Sequence, residues 1–348
     1  MSNPLNEFTN TTADWRKSLR QNQFRSTMVI IFFMLIYISI GLLIDVYLYA
    51  STYPDAPLST LLIALVTFKL FPIATLILGG IAGISLLVTF TLYDKLMLLG
   101  TEYQEITPET ARSTQEKQLY NTVEEMKIAA GLRYMPKVFV INAAYMNAFA
   151  SGYSEKSAMV AITQGLLDKL NRDELQAVMA HELSHIRHLD IKLTLMASLL
   201  ANIMLMVLDL LFYNAIYSGN RSNGRSRNSL LSVIIILRYL LPVISMILLL
   251  YLSRKRELMA DAGAVQLMRT NEPLAKALLK IQNDHLSHQE EYQAAYRNTR
   301  NENIRRQAYL FDPADAGIKP LTSISDLFAT HPSMEERLKA LGYTKKIK

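Results

Sequence analysis

Apolar positions in this 348-residue chain are bunched rather than spread. Residues 27–50 carry one charge, Asp45, and residues 70–93 carry none, so each run exceeds the roughly 20 residues that cross a hydrocarbon core. A second, less pure pair follows at 193–217, interrupted by Asp209, and at 229–252, interrupted by Arg238 and Pro242. The pattern predicts about four membrane-spanning helices. Asp209 and Arg238 stand at similar depths from the loop joining the second pair, and charges inside spans are costly unless matched, so the two are expected to form an ion pair.

Between and after these runs the period changes. Residues 108–132 read as an amphipathic helix rich in Glu, Lys and Ala, while 138–141 and 157–162 are short apolar, β-branched runs that suit strands joined by a loop. Asn171, with Glu174 three places on, signals a helix start, and Leu175, Val178, Met179, Glu182, Ile186 and Leu189 follow at helical spacing. Helices are expected over 254–271 and 273–296, and an irregular polar stretch over 298–319. A last helix follows His331-Pro332, with Met334, Leu338 and Leu341 on one face. The expected fold class is α+β, mostly helical. Its parts are a tail (1–26), a first membrane pair (27–93), a polar region (94–192), a second membrane hairpin (193–252) and a second polar region (253–348).

Composition agrees with the bilayer reading, since 51% of residues are hydrophobic. Basic residues orient the spans: Arg16, Lys17, Arg20 and Arg25 precede the first, whereas 51–57 has no Lys or Arg. The N-terminus is therefore expected in the cytoplasm, and an even number of crossings returns both polar regions there. Arg221, Arg225 and Arg227 in the 218–228 loop disagree, and they leave open a shallow second hairpin instead of two full spans. The first run is longer than a signal-peptide core and lacks a small residue two places before a cut at Ala50, so an anchor is expected.

The candidate chemistry lies at His181-Glu182-Leu183-Ser184-His185. On a helix, residues i and i+4 share a face, so His181 and His185 can grip one ion while Glu182 points to its open position as general base for water. The chain has no cysteine, so histidine and carboxylate must complete the shell, which suits catalytic rather than purely structural zinc. His188 lies on the same face but roughly 10 Å along the axis from His181, too far for one straight helix to present all three. A third histidine two turns on is excluded by Ile191. Glu257 and Asp261, again i and i+4, could supply a ligand and a partner for an imidazole, though on spacing alone a charged surface helix explains them equally well.

H-E-L-S-H, a hydrophobic hairpin and then Ser253-Arg254-Lys255-Arg256-Glu257-Leu258-Met259-Ala260-Asp261 together resemble the HtpX-type membrane zinc endopeptidases, relatives of the CAAX prenyl proteases. The likeness extends to Asn147-Ala148-Phe149-Ala150 and to Thr330-His331-Pro332-Ser333 with Arg337. It implies a zincin-like cytoplasmic domain with one zinc ion per chain, held by His181, His185 and Glu257. By the same resemblance Glu182 is the base and Asp261 supports a ligand, while Asn147 and Ala148 belong to an edge strand that holds extended substrate. His331 would stabilise an oxyanion or take the fourth metal position. The implied setting is a bacterial inner membrane under stress, with polypeptides, chiefly misfolded or damaged membrane proteins, as substrates and the lipid bilayer as partner. No nucleic-acid partner is expected. The competing readings are a processing protease for lipidated peptides and an inactive membrane scaffold. Few spans weigh against the first, and retention of Glu182 with its ligand set weighs against the second.

Overall fold

The computed structural model describes residues 8–10, 15–98, 100–152, 154–188, 205–206, 208–210, 212–213, 225–298, 305, 308–318 and 331–345. The chain divides into two compact units, one of 1–26, 90–193 and 250–348, the other of 27–89 and 194–249. Most of the expected third span, 193–217, and of the 218–228 loop lies outside the described residues.

The first unit is mostly helical around a small sheet. Strands β2 (Tyr103–Ile106), β3 (Lys137–Ile141), β4 (Ala148–Ser151) and β5 (Met159–Thr163) lie in the order β2-β3-β5-β4. The two expected strands, β3 and β5, pair in parallel and form the centre, and antiparallel β2 and β4 form the edges. Every residue of β5 is buried, as a central strand covered on both faces requires. A second, two-stranded sheet pairs β1 (Phe8–Asn10) with β6 (Tyr343–Lys345).

Helix α4 (Thr114–Ala130) begins later than the apolar pattern predicts. Ser113 accepts from Glu116 N at 3.0 Å, and the Glu116 carboxylate accepts from Ser113 N at 3.1 Å, so a capping box sets the boundary. Gly131 ends the helix in the left-handed region, φ 71°. After the short α5 (Gln164–Lys169), helix α6 (Arg172–His188) opens on the expected pair, with Glu174 N to Asn171 Oδ1 at 2.9 Å and Asn171 N to Glu174 Oε2 at 3.0 Å. Leu175, Val178, Met179 and Ile186 bury its apolar stripe among α4, β4 and the later helix α8 (Glu272–Ser287).

Two further helix boundaries differ from the sequence reading. Span 229–252 and helix 254–271 are one continuous helix, α7 (Arg225–Met268), because nothing after Pro242 breaks it: the change from apolar to charged side chains leaves the backbone hydrogen bonds untouched. The expected helix 273–296 is instead divided at His288 into α8 and α9 (Gln289–Asn298). The last helix, α10 (Met334–Ala340), is present and buries Met334, Arg337 and Leu338.

The second unit contains α1 (Trp15–Thr52, from Thr27 onward), α2 (Leu58–Val66), most of α3 (Ile73–Leu98) and the first part of α7. Among the described residues one helix, 232–268, is long and apolar enough to cross a membrane, and 34–50 forms a shorter apolar stretch. Ile40, Ile44, Leu208, Ile234 and Leu241 make its core. Asp209 and Arg238 pair, Oδ1 to Nε 2.8 Å, with the guanidinium 3.8 Å above the Phe212 ring. The matched charge and the cation–π contact keep Arg238 tolerable in apolar surroundings.

Candidate metal centre and active site

The site is built where α6 meets α7. Helical spacing sets His181 Nε2 3.2 Å from His185 Nε2, and the Glu257 carboxylate on α7 offers one oxygen to each imidazole at 3.6 Å. A tetrahedral ion bound at about 2.0–2.1 Å has ligand-to-ligand edges of about 3.3 Å, so these three edges fit such a shell. Among the described residues this is the one histidine and carboxylate group close enough to hold a metal. Two imidazoles and a carboxylate, with no thiolate, are a donor set of the catalytic type. His188 takes no part, its Nδ1 lying 3.3 Å from Ser184 Oγ on its own helix.

Further buried groups point into the same space. Both carboxylate oxygens of Glu182 and both ring nitrogens of His331 are buried without a hydrogen-bond partner, as is Glu257 Oε2. His331 Nδ1 approaches Glu257 Oε2 to 3.5 Å. Polar atoms left unpaired in an interior cost free energy unless the site has another use for them.

A second layer fixes the first. His181 Nδ1 meets Asp261 Oδ1 at 3.0 Å, which leaves Nε2 for a metal. Arg337 grips Asp261 with two parallel contacts, Nε to Oδ2 2.9 Å and Nη2 to Oδ1 2.7 Å, and donates through Nη1 to Leu310 O at 2.5 Å. Sequence reasoning quoted Arg337 without a role. Its signal was a charge set in the apolar stripe of Met334, Leu338 and Leu341. Gly263 carries no mark in the sequence pattern: a Cβ there would lie 2.0 Å from Ser184 Oγ, so only glycine lets α7 approach α6 this closely.

Electrostatics follows from this packing. Burial raises the Glu182 carboxyl above its ordinary range against the pull of His181 and His185, which makes it a stronger base. Burial also opposes the charge on Glu257, yet His331, His185 and His181 outweigh it and hold that carboxyl well below the usual range. Burial works against a charged His181, but Asp261 and Glu257 overcome it and lift the imidazole to about 9. Asp261 is lowered because Arg337 and His181 overcome its burial.

Asn147 and Ala148 sit at the edge strand, but the chain itself fills that edge. Ala148 O accepts from Leu310 N at 2.8 Å, and the fully buried Asn147 side chain holds Phe311 through Nδ2 to O, 2.9 Å, and N to Oδ1, 3.2 Å. Tyr309 bridges Phe149 in antiparallel fashion.

Residues 113–345 match the model of peptidase family M48. The chain belongs to this family. A "Protease HtpX homolog" from Helicobacter acinonychis (strain Sheeba) is 37% identical over 329 residues, 94% of this chain and 98% of that protein. One of the same name from Helicobacter pylori (strain Shi470) has equal identity and coverage. Another, from Dictyoglomus thermophilum, is 37% identical over 224 residues, 64% of this chain and 68% of its own. A weaker likeness, TM-score 0.49 at 17% identity, covers 97% of this chain and 68% of the chain in the crystal structure of S. mikatae Ste24p. The protein is a membrane-bound metallopeptidase, as the resemblance in the sequence implied.

Proposed function

We propose that this peptidase uses one zinc ion to cut misfolded or damaged membrane proteins at the cytoplasmic face of a bacterial inner membrane, in protein quality control under stress. The observation that carries the reading is Glu182, a buried carboxylate without a partner beside the His181, His185 and Glu257 triangle. When bound there, zinc supplies Lewis acidity, lowering the pKa of water and polarising a peptide carbonyl. Glu182 takes a proton from the attacking water and returns it to the leaving amine. Asp261 holds the tautomer of His181, and His331 supplies a hydrogen bond to the developing oxyanion or fills the fourth metal position. Extended substrate pairs with β4 at Asn147 and Ala148 only once the Tyr309–Phe311 segment moves aside.

The membrane setting follows from four spans with the N-terminus and both polar regions in the cytoplasm, which the apolar runs and flanking basic residues support. Glu257 lies five residues beyond Leu252 on the continuous α7, about 8 Å along its axis, and this favours cleavage close to the bilayer. The test is metal content and cleavage of an unfolded polypeptide. Glu182→Gln should keep its metal and lose cleavage, and Glu257→Ala should lose both. Retention of most activity by Glu182→Gln would remove it as base. Equal cleavage of one polypeptide in membrane-anchored and detached forms would remove the preference for membrane substrates.

A further inference from the structure

The connection between α1 and α3 does more than reverse the chain. Asp45 lies seven residues before the end of α1, yet its carboxylate accepts from Ala74 N at 2.8 Å, Thr75 N at 3.0 Å and Thr75 Oγ1 at 2.6 Å. It therefore caps the first turn of α3, where unpaired amides and the helix dipole favour a negative group. Seven residues at 1.5 Å each place that cap about 10 Å short of the α1 terminus. To reach it, the chain must turn back along α1.

Helix α2 makes this return. Leu65 packs on Val46, with Leu58 and Leu70 against the same stretch of α1. Its opposite face, Leu62, Ile63 and Val66, is exposed, Ile63 at 61%. Phe68 then closes the helix in the left-handed region, φ 56°, where a bulky side chain is strained and glycine is usual. Lys69 N and Leu70 N bond back to Ala64 O at 2.8 and 3.0 Å, while the Phe68 ring is left 74% exposed. Between 56 and 76 the only charged side chain is Lys69. Tyr49 and Tyr53 stack nearby at 6.4 Å, and Tyr49 OH donates to Phe71 O at 3.0 Å.

We infer that α2 and the turn through Phe71 form a non-spanning anchor seated in the lipid bilayer, with Leu62, Ile63, Val66 and Phe68 among the acyl chains and Lys69 at the headgroups. The flanking helices support this occupant. Both also expose large apolar residues close in sequence to the connection, Leu48 on α1 and Leu76 and Ile77 on α3, within the apolar runs expected to enter the bilayer. Aromatic residues with one lysine form the belt that suits a membrane interface. In a short helix with one face on protein and the other on lipid, the backbone stays satisfied by the helix and by the Phe68 turn.

The chain has no cysteine and one tryptophan, Trp15, so probes can be placed singly in the full-length protein. In vesicles of phosphatidylcholine and phosphatidylglycerol, Ile63→Cys should react with an impermeant maleimide about tenfold less than Asp55→Cys, and equally once unfolded in detergent. Phe68→Trp combined with Trp15→Phe should give an indole quenched by lipids brominated near the headgroup end of the acyl chain and protected from aqueous acrylamide. Equal labelling of both cysteines, or quenching by acrylamide alone, would overturn the proposal. So would a protected Ile63→Cys with an indole blind to bromolipid, which would mean that protein covers the face. Neither readout uses cleavage, so the outcome is separate from the fate of the zinc reading.

Discussion

Replacing Gly263 by alanine tests whether the closeness of two helices sets the metal site. The added Cβ would lie 2.0 Å from Ser184 Oγ and 2.9 Å from Ser184 Cβ. Carbon–carbon contacts settle at about 3.5–4.0 Å, so rotating the serine hydroxyl relieves only part of the clash and α7 must retreat from α6 by on the order of 1 Å. Metal ligands tolerate about 0.2 Å, and overpacking of this kind costs about 1–3 kcal/mol. Glu257, less than two turns away on α7, is carried with the displacement. Zinc affinity should fall about 10- to 100-fold, equivalent to about 1.4–2.8 kcal/mol. The assay is competition with a chromogenic chelator, alongside cleavage titrated with zinc. Ser184→Gly removes both clashing atoms, so the double variant should recover most of the affinity despite the helix cost of glycine, about 0.5–1 kcal/mol. Wild-type affinity in Gly263→Ala, or no recovery in a folded double variant, would refute the reasoning.

Asp261→Asn should weaken metal binding about 10- to 100-fold and lower thermal stability, because it loosens the tautomer of His181 and strands the buried Arg337 guanidinium; unchanged affinity by chelator competition would count against the support role. Asn147→Ala removes both side-chain bonds to Phe311 and should cost about 1–3 kcal/mol in denaturant unfolding. A raised KM with unchanged stability would instead mark Asn147 as a direct substrate contact. Burial drives the His285 imidazole down to about 4 from 6.5, so between those values the unfolded chain binds the extra proton. Stability is therefore full above about pH 6.5 and falls as pH drops toward 4, by on the order of 3 kcal/mol. His285→Gln should flatten that slope in thermal melts across the window, and an identical slope would rule His285 out as its source.

What could be read in the sequence was local. The 3.6-residue stripe predicts α4 and α6, the second with its capping pair, and two continuous apolar runs predict β3 and β5. The edge strands carry weaker marks. β2 exposes Tyr103, Gln104 and Glu105, and β4 is four residues of Ala, Phe, Ala and Ser, so pairing with distant strands decides both. No break falls near residue 253, because a change in side-chain polarity is not a change in backbone. The two-histidine spacing was legible for the same local reason that the helices were. That Glu257 reaches it is tertiary, set by the crossing at Gly263 and Ser184. The filling of the β4 edge by residues 309–311 left no mark in the pattern, because backbone bonds between distant segments depend little on which side chains they carry.

The candidate site is also divided along the chain. His181, Glu182 and His185 stand on α6, Glu257 on the later α7, and His331 and the Arg337 that braces Asp261 come later still, just before and within α10. A fragment that stops after α6 therefore carries the two imidazoles and Glu182 but neither the carboxylate that closes the triangle nor the arginine that steadies Asp261. Assembly of the candidate site therefore depends on α6, α7 and α10 folding together, and α6 alone should not hold a metal as the full chain does.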